Sequence, residues 1–210
     1  MYIRVPKTSE KMVQSVPTQD IHIQKDAFLC LTGVFTHGWE NRRNLRIFLE
    51  GEHSRLSCFF AILGSKKETF PFDISVFHAA SYSTSSVAIR SILFDESKVD
   101  SHGLARVEKG IEDTTVSFSH HALLFSEKSS ATILPTLEIL SDSAQAHHAA
   151  SVSQMDADAL WYLMSRGVSK KEAESLLIAG FFDQDIQKIE NNPLQKKMRK
   201  AVCASYALYA

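Results

Sequence analysis

The chain has 210 residues, 44% of them hydrophobic and 22% charged, with a net charge of −1. That is room for one sizeable domain with at most a small appendage, and the composition is that of an ordinary globular protein. A near-neutral balance lacks the basic stripe that phosphate backbones require, and no run approaches the roughly 18 apolar residues that cross a bilayer, so neither nucleic acid nor membrane is expected as a partner.

Residues 1–20 read as an N-terminal tail without the apolar segment of a secretory leader. From 21 to 153, short alternating runs dominate and predict a β-rich core. Residues 21–23 and 28–35 come first. Leu45, Ile47 and Leu49 then alternate with Asn44, Arg46 and Glu50, while Phe48 breaks the pattern. Leu56, Cys58, Phe60 and Ile62 follow, then the runs 74–77, 87–94, 104–107, 115–118, 122–125 and 136–139. Turn-like segments separate them at 50–52, 64–67, 95–98 and 126–128. Units of this length build a sandwich, a barrel or a β-solenoid, and periodicity leaves all three open.

From 154 to 210 the pattern is helical. Leu160, Leu163 and Met164 share a face that Trp161 and Tyr162 widen, and Gly167 sits where a C-terminal stop belongs. Ser169 and Glu172 have the spacing of a capping box. Ala173, Leu176 and Leu177 form a stripe ending near Gly180, and further helix runs from Asp183 to about residue 207, with Pro193 starting or kinking a segment. The basic run Lys196, Lys197, Arg199 and Lys200 reads as a solvated helix face.

The stretch His147-His148-Ala149-Ala150-Ser151 up to Asp156, followed by Tyr162-Leu163-Met164-Ser165-Arg166-Gly167, closely resembles the C-terminal signature of the SufB/SufD family of iron–sulfur cluster assembly scaffolds. Leu123-Leu124-Phe125-Ser126-Glu127 and Pro135-Thr136-Leu137-Glu138-Ile139 resemble the preceding family segment, as do His78, Ser83, Ser85, Arg90, His102 and Gly103 further upstream. The similarity is good over about residues 70–182 and slight over the first 40. It implies a right-handed parallel β-helix followed by a small C-terminal α-helical domain. It also implies pairing through the β-helix with a SufB-type subunit or a second copy, and docking of a SufC-type ATPase on the helices. The family's longer N-terminal helical region has no counterpart in the sequence.

By the same resemblance His148 matches the family's interface histidine, whose neutral imidazole could ligate iron or relay protons. Ala149 stands where SufB carries a glutamate, and His120 where SufB carries a key cysteine. Thiolate is the usual iron–sulfur ligand, so the chain looks closer to SufD, with at most a transient iron–sulfur cluster shared with its partner. His120 and His121 are neighbours on a strand and therefore face opposite ways. Leu160, Tyr162, Arg166, Leu176, Phe181 and Phe182 are the candidate ATPase-docking residues, since two or three short helices bury so aromatic a surface poorly.

The three cysteines form no CxxC pair and fit a reducing, cytoplasmic setting. Cys30 and Cys58 read as small buried hydrophobes, and Cys203 as helix packing. No GxxxxGK[ST] loop occurs, so no ATP site is expected. A solenoid enzyme acting on polysaccharide would need converging carboxylates, and the acidic residues scatter into turns. The chain is expected to be no enzyme. The alternative to a SufD-like subunit is a shortened paralogue that serves only as an interaction module.

Overall fold

The structure is a computed structural model that describes residues 2–206. Twelve strands are followed by three helices. The strands are β1 (Tyr2–Val5), β2 (Ser9–Val13), β3 (Gln19–Ile23), β4 (Phe28–Phe35), β5 (Arg43–Leu49) and β6 (Arg55–Gly64). Then come β7 (Thr69–His78), β8 (Thr84–Leu93), β9 (Lys98–Val107), β10 (Thr115–Leu124), β11 (Ser130–Ile139) and β12 (Gln145–Gln154). Odd strands form one six-stranded sheet and even strands another, each strand pairing parallel with the next but one. Arg55, Thr84, Thr115 and Gln145 stand in one register column. The chain is thus a parallel β-helix, one of the three architectures the periodicity allowed.

Corners repeat as faithfully as strands. Asp26, His53, Tyr82 and Asp113 all have positive φ, each two residues before β4, β6, β8 and β10 respectively. Side-chain-bearing residues adopt this conformation rarely, aspartate and histidine more readily than tyrosine, and keep it where surroundings hold them. Here the stacked corners do so: the Asp26 amide donates to the Glu52 carbonyl (3.0 Å) and the Tyr82 amide to the Glu112 carbonyl (2.9 Å). The His53 and Tyr82 rings stack at 5.1 Å.

The two sheets differ because their outer faces meet different surroundings. β5, β7 and β9 alternate buried and accessible residues, one face inward and one in water. Leu45, Ile47, Phe72, Ile74, Val76 and Val87 pack the interior. Phe48, the break in alternation, lies on the outer face and stacks on Phe77 at 4.8 Å and on His22 at 4.6 Å. β4 and β6 are buried on both faces, which explains the apolar stretches 28–31 and 58–63 that do not alternate. Their outward residues Cys30, Phe59, Ala61 and Leu63 lie beneath helix residues Ile178, Phe182, Ile186 and Met198.

The helices are α1 (Ala157–Ser165), α2 (Lys170–Ile186) and α3 (Asn192–Tyr206). Asp156 caps α1, accepting from the amides of Asp158 and Ala159. Gly167, at φ +89°, ends it: its amide donates to Met164 and that of Val168 to Leu163, a Schellman closure. The Ser169–Glu172 capping box forms as expected. Gly180 does not end α2, which continues to Ile186 because Phe182 and Ile186 are buried against the even sheet. Three further differences from the sequence reading stand out. Residues 1–20 carry β1 and β2, which extend both sheets. The runs 115–118 and 122–125 are joined in one strand, β10, which passes through His120 and His121 and ends at Leu124. Cys203 is exposed rather than packed.

Candidate functional site

Inside the β-helix two histidines are held between serines. His78, at the end of β7, is fully buried, with Nδ1 2.8 Å from Ser83 Oγ and Nε2 2.7 Å from Ser85 Oγ. Ser83 gives its one proton to the Ala80 carbonyl (2.7 Å), so it accepts from Nδ1–H and Ser85 must donate to Nε2. His78 therefore has one fixed tautomer. His120, from β10, is 1% exposed and bridges the sheets, with Nε2 2.7 Å from Ser91 Oγ on β8 and Nδ1 2.7 Å from Ser101 Oγ on β9. Burial pushes the His78 imidazole down to about 4; burial, with a smaller contribution from His121, pushes His120 down to about 3. Both rings are neutral at physiological pH. A neutral imidazole with both nitrogens bonded has no lone pair free for a metal.

On the other side of the same strands lies a charged cluster. Arg90 is next to Ser91 in sequence but faces outward, under α2. Its Nε donates to Asp185 Oδ2 at 2.5 Å, its Nη2 donates to Gln184 Oε1 at 2.9 Å, and its guanidinium lies 4.7 Å from the centre of the Phe181 ring. Arg90 and Asp185 are 6% and 4% exposed. Burial alone would raise the Asp185 carboxyl, but hydrogen bonds from Lys188 and Arg90 hold it below the ordinary carboxylate range. Lys188 Nζ sits 2.6 Å from Asp185 Oδ1. His121, beside Arg90 in the sheet register, bonds through Nδ1 to Ser151 Oγ at 2.7 Å; burial and then the Arg90 charge lower its pKa.

His148 sits on β12, the last strand of the even sheet, in register with the buried Phe118. It therefore lies on the interior-facing side, and it is exposed because β12 is the sheet's outermost strand. The structure does not bring it together with His120: in register with His120 on β12 is Ala150. Among the described residues no group of three or more metal-ligating side chains occurs.

The helical candidates divide. α1 buries none of its residues: Trp161 is 71% and Tyr162 54% exposed, and Leu160 is half-buried. Arg166 is exposed and lies 5.2 Å over the Tyr162 ring. Leu176, on α2, is 56% exposed. It borders an apolar groove of about 340 Å³ whose walls include Ala179, Gly180, Arg199 and Cys203. Phe182 is fully buried on the β-helix and Phe181 is half-buried beneath Arg90, so neither belongs to that outer surface. Sequence reasoning missed Asp185 and the serines Ser91 and Ser101, because a buried ion pair and a serine bracket join residues far apart in the chain. Cys30 and Cys58 are buried as expected, and burial pushes the Cys30 thiol up to about 11 and that of Cys58 higher still. Neither is a nucleophile poised for chemistry.

A parallel β-helix whose even sheet is covered by a C-terminal helical unit, with paired histidine–serine brackets inside, defines the class of protein. The chain matches the family model "SUF system FeS cluster assembly, SufBD core domain" over residues 1–181, and it belongs to that family. It is 29% identical over 137 residues to the iron–sulfur cluster assembly protein SufD of Bacillus subtilis (strain 168), covering 65% of this chain and 31% of that one. To SufB of the same organism it is 29% identical over 135 residues, covering 64% and 29%. To a SufBD family protein of Mycobacterium leprae (strain TN) it is 30% identical over 140 residues, covering 65% and 16%. The chain thus spans about a third or less of the length of these curated relatives. No helix among the described residues is long and apolar enough to cross a membrane.

Proposed function

We propose that the chain is a SufD-like scaffold subunit of iron–sulfur cluster assembly, which docks a SufC-type ATPase on its helical unit and pairs through the open C-terminal end of its β-helix. The observation that carries the reading is α1, a helix of a SufBD-family chain that buries none of its residues and leaves Trp161, Tyr162 and Met164 on its surface, with Leu176 of α2 exposed as well. Large apolar side chains left in water mark a surface with a partner, and an aromatic anchor is the usual centre of one. Leu160 on the same helix is half-buried, Arg166 lies over Tyr162, and Phe181 and Phe182 hold the unit on the sheet. The pairing partner is a SufB-type subunit or a second copy. Any cluster is cargo at that junction, where His148 could contribute one imidazole.

Removing residues 154–210 is a poor test, because it would bare Cys30, Phe59 and Leu63. Trp161→Asp and Leu176→Asp leave the buried face intact. Pull-down with the SufC-type ATPase of the same organism should succeed with the native chain and weaken tenfold or more, roughly the loss of one hot-spot residue, with either variant. Equal binding by all three would refute docking on α1.

A specific observation favours the alternative of a pure interaction module. His120 has both nitrogens engaged and is closed off from solvent. His148→Ala separates the readings: loss of cluster assembly with the complex intact supports a chemical role, and unchanged assembly supports the module.

A further inference from the structure

The two histidine brackets differ in a way that gives one of them two states. Ser83 is committed to the Ala80 carbonyl, and this fixes the His78 proton on Nδ1. Ser91 and Ser101 have no other hydrogen-bond partner among the described residues, so each hydroxyl can either donate to His120 or accept from it. With Nε2–H donating to Ser91, Ser101 donates to Nδ1; with Nδ1–H donating to Ser101, Ser91 donates to Nε2. Both arrangements bond both ring nitrogens, and in each the hydroxyl proton of the accepting serine is the one group left over, so neither is favoured by hydrogen-bond count. Which one prevails depends on the exact placement of Ser91 and Ser101 around the ring.

Ser91 is placed by β8, and the residue before it is Arg90. That side chain passes through the outer face of the sheet into the buried clamp made by Asp185, Gln184 and the Phe181 ring on α2. A contiguous line runs from α2 through Asp185, Arg90 and Ser91 to His120, with one peptide unit crossing from the outside of the sheet to the inside. Neither His78 nor its serines bond to a helix residue.

We infer that Arg90 is a positioning residue that couples the seating of α2 on the β-helix to the proton position on His120. A guanidinium anchored at three points transmits a displacement of α2 to β8, and a two-state hydrogen-bonded ring converts a small shift into a change of population. The coupling deepens the proposed function, resting on ATPase docking only for what would move the helices in use; the geometry stands without it. Docking would thereby be reported inside the β-helix.

The test needs only the isolated chain. Histidine side chains labelled with 15N distinguish the protonated from the bare ring nitrogen, so NMR reads each tautomer directly. Arg90→Met keeps the aliphatic stem on Phe181 and leaves Asp185 paired with Lys188. The expected result is a change in the His120 tautomer ratio of about threefold or more, within the range produced along packed networks, with His78 unmoved. Arg90→Lys, which keeps the charge, should restore part of the native ratio. If Arg90→Met does not fold, Gln184→Ala removes one anchor from an exposed position and should move His120 in the same direction. An unchanged His120 in the folded variants, or an equal change at His78, would overturn the inference. Neither result bears on α1 docking, and failed pull-downs would not alter the spectra.

Discussion

At the scale of residues, the buried histidines make stability depend on pH in a fixed direction. An unfolded histidine titrates near 6.5, whereas His78 and His120 are held down to about 4 and about 3. Their stabilisation is complete above pH ~6.5, where both states are neutral. It is lost as the pH falls towards the folded values, because the unfolded chain takes up protons first. Each histidine contributes a slope of about 1.4 kcal/mol per pH unit within that window. Urea unfolding at pH 7.5 and 5.5 should show the lower pH to be less stable, and His120→Asn should remove about half of the difference while costing stability at pH 7.5. A pH-independent midpoint would contradict neutral, buried rings. The sequence made His120 visible only as the residue standing where a ligand was expected. Its neutrality follows from Ser91 and Ser101, which lie on two different strands and cannot be found by spacing.

At the scale of elements, the sequence was legible wherever one environment lay on one side of a segment. Alternation in β5, the Gly167 stop of α1 and the capping box of α2 could be read directly, because each depends on neighbours a few residues away. β12 could not: its ten residues include one large apolar side chain, Val152, and it is a strand because β10 pairs with it throughout. Gly180 was misread for the converse reason. A glycine ends a helix when nothing beyond it is worth burying, but here Phe182, Ile186 and Ile189 lie beyond it, and each such fully buried side chain contributes about 1.5–3 kcal/mol. The glycine therefore carries a local cost that tertiary packing overrides. A Cβ at Gly180 would meet no atom within 4 Å. Gly180→Ala should stabilise the protein by about 0.5–1 kcal/mol, visible as a raised melting temperature with unchanged circular dichroism. A lower melting temperature would mean that the glycine is needed for its flexibility.

At the scale of the whole molecule, the β-helix leaves two kinds of surface, and only one is closed. The outer face of the even sheet is covered by α2 and α3 over β4, β6 and β8, and the interior there is packed between the two sheets. The C-terminal end, in contrast, finishes on β11 and β12, whose far edges have no strand partner among the described residues. Leu134, Leu140 and Val152 stand 53%, 51% and 48% exposed there. An unpaired parallel edge with apolar side chains invites another strand, and an edge pairing related by a twofold axis closes on itself without growing into a fibre. The proposed pairing at this end predicts a dimer mass by light scattering at micromolar concentration, either for the chain alone or when mixed with a SufB-type subunit. Val152→Lys would set a charge against the incoming strand and should return the native dimer to monomer without loss of helical or β signal. A clean monomer both alone and with the SufB-type subunit would refute pairing through this edge. A dimer indifferent to Val152→Lys would move the contact to another face and take His148 out of the junction.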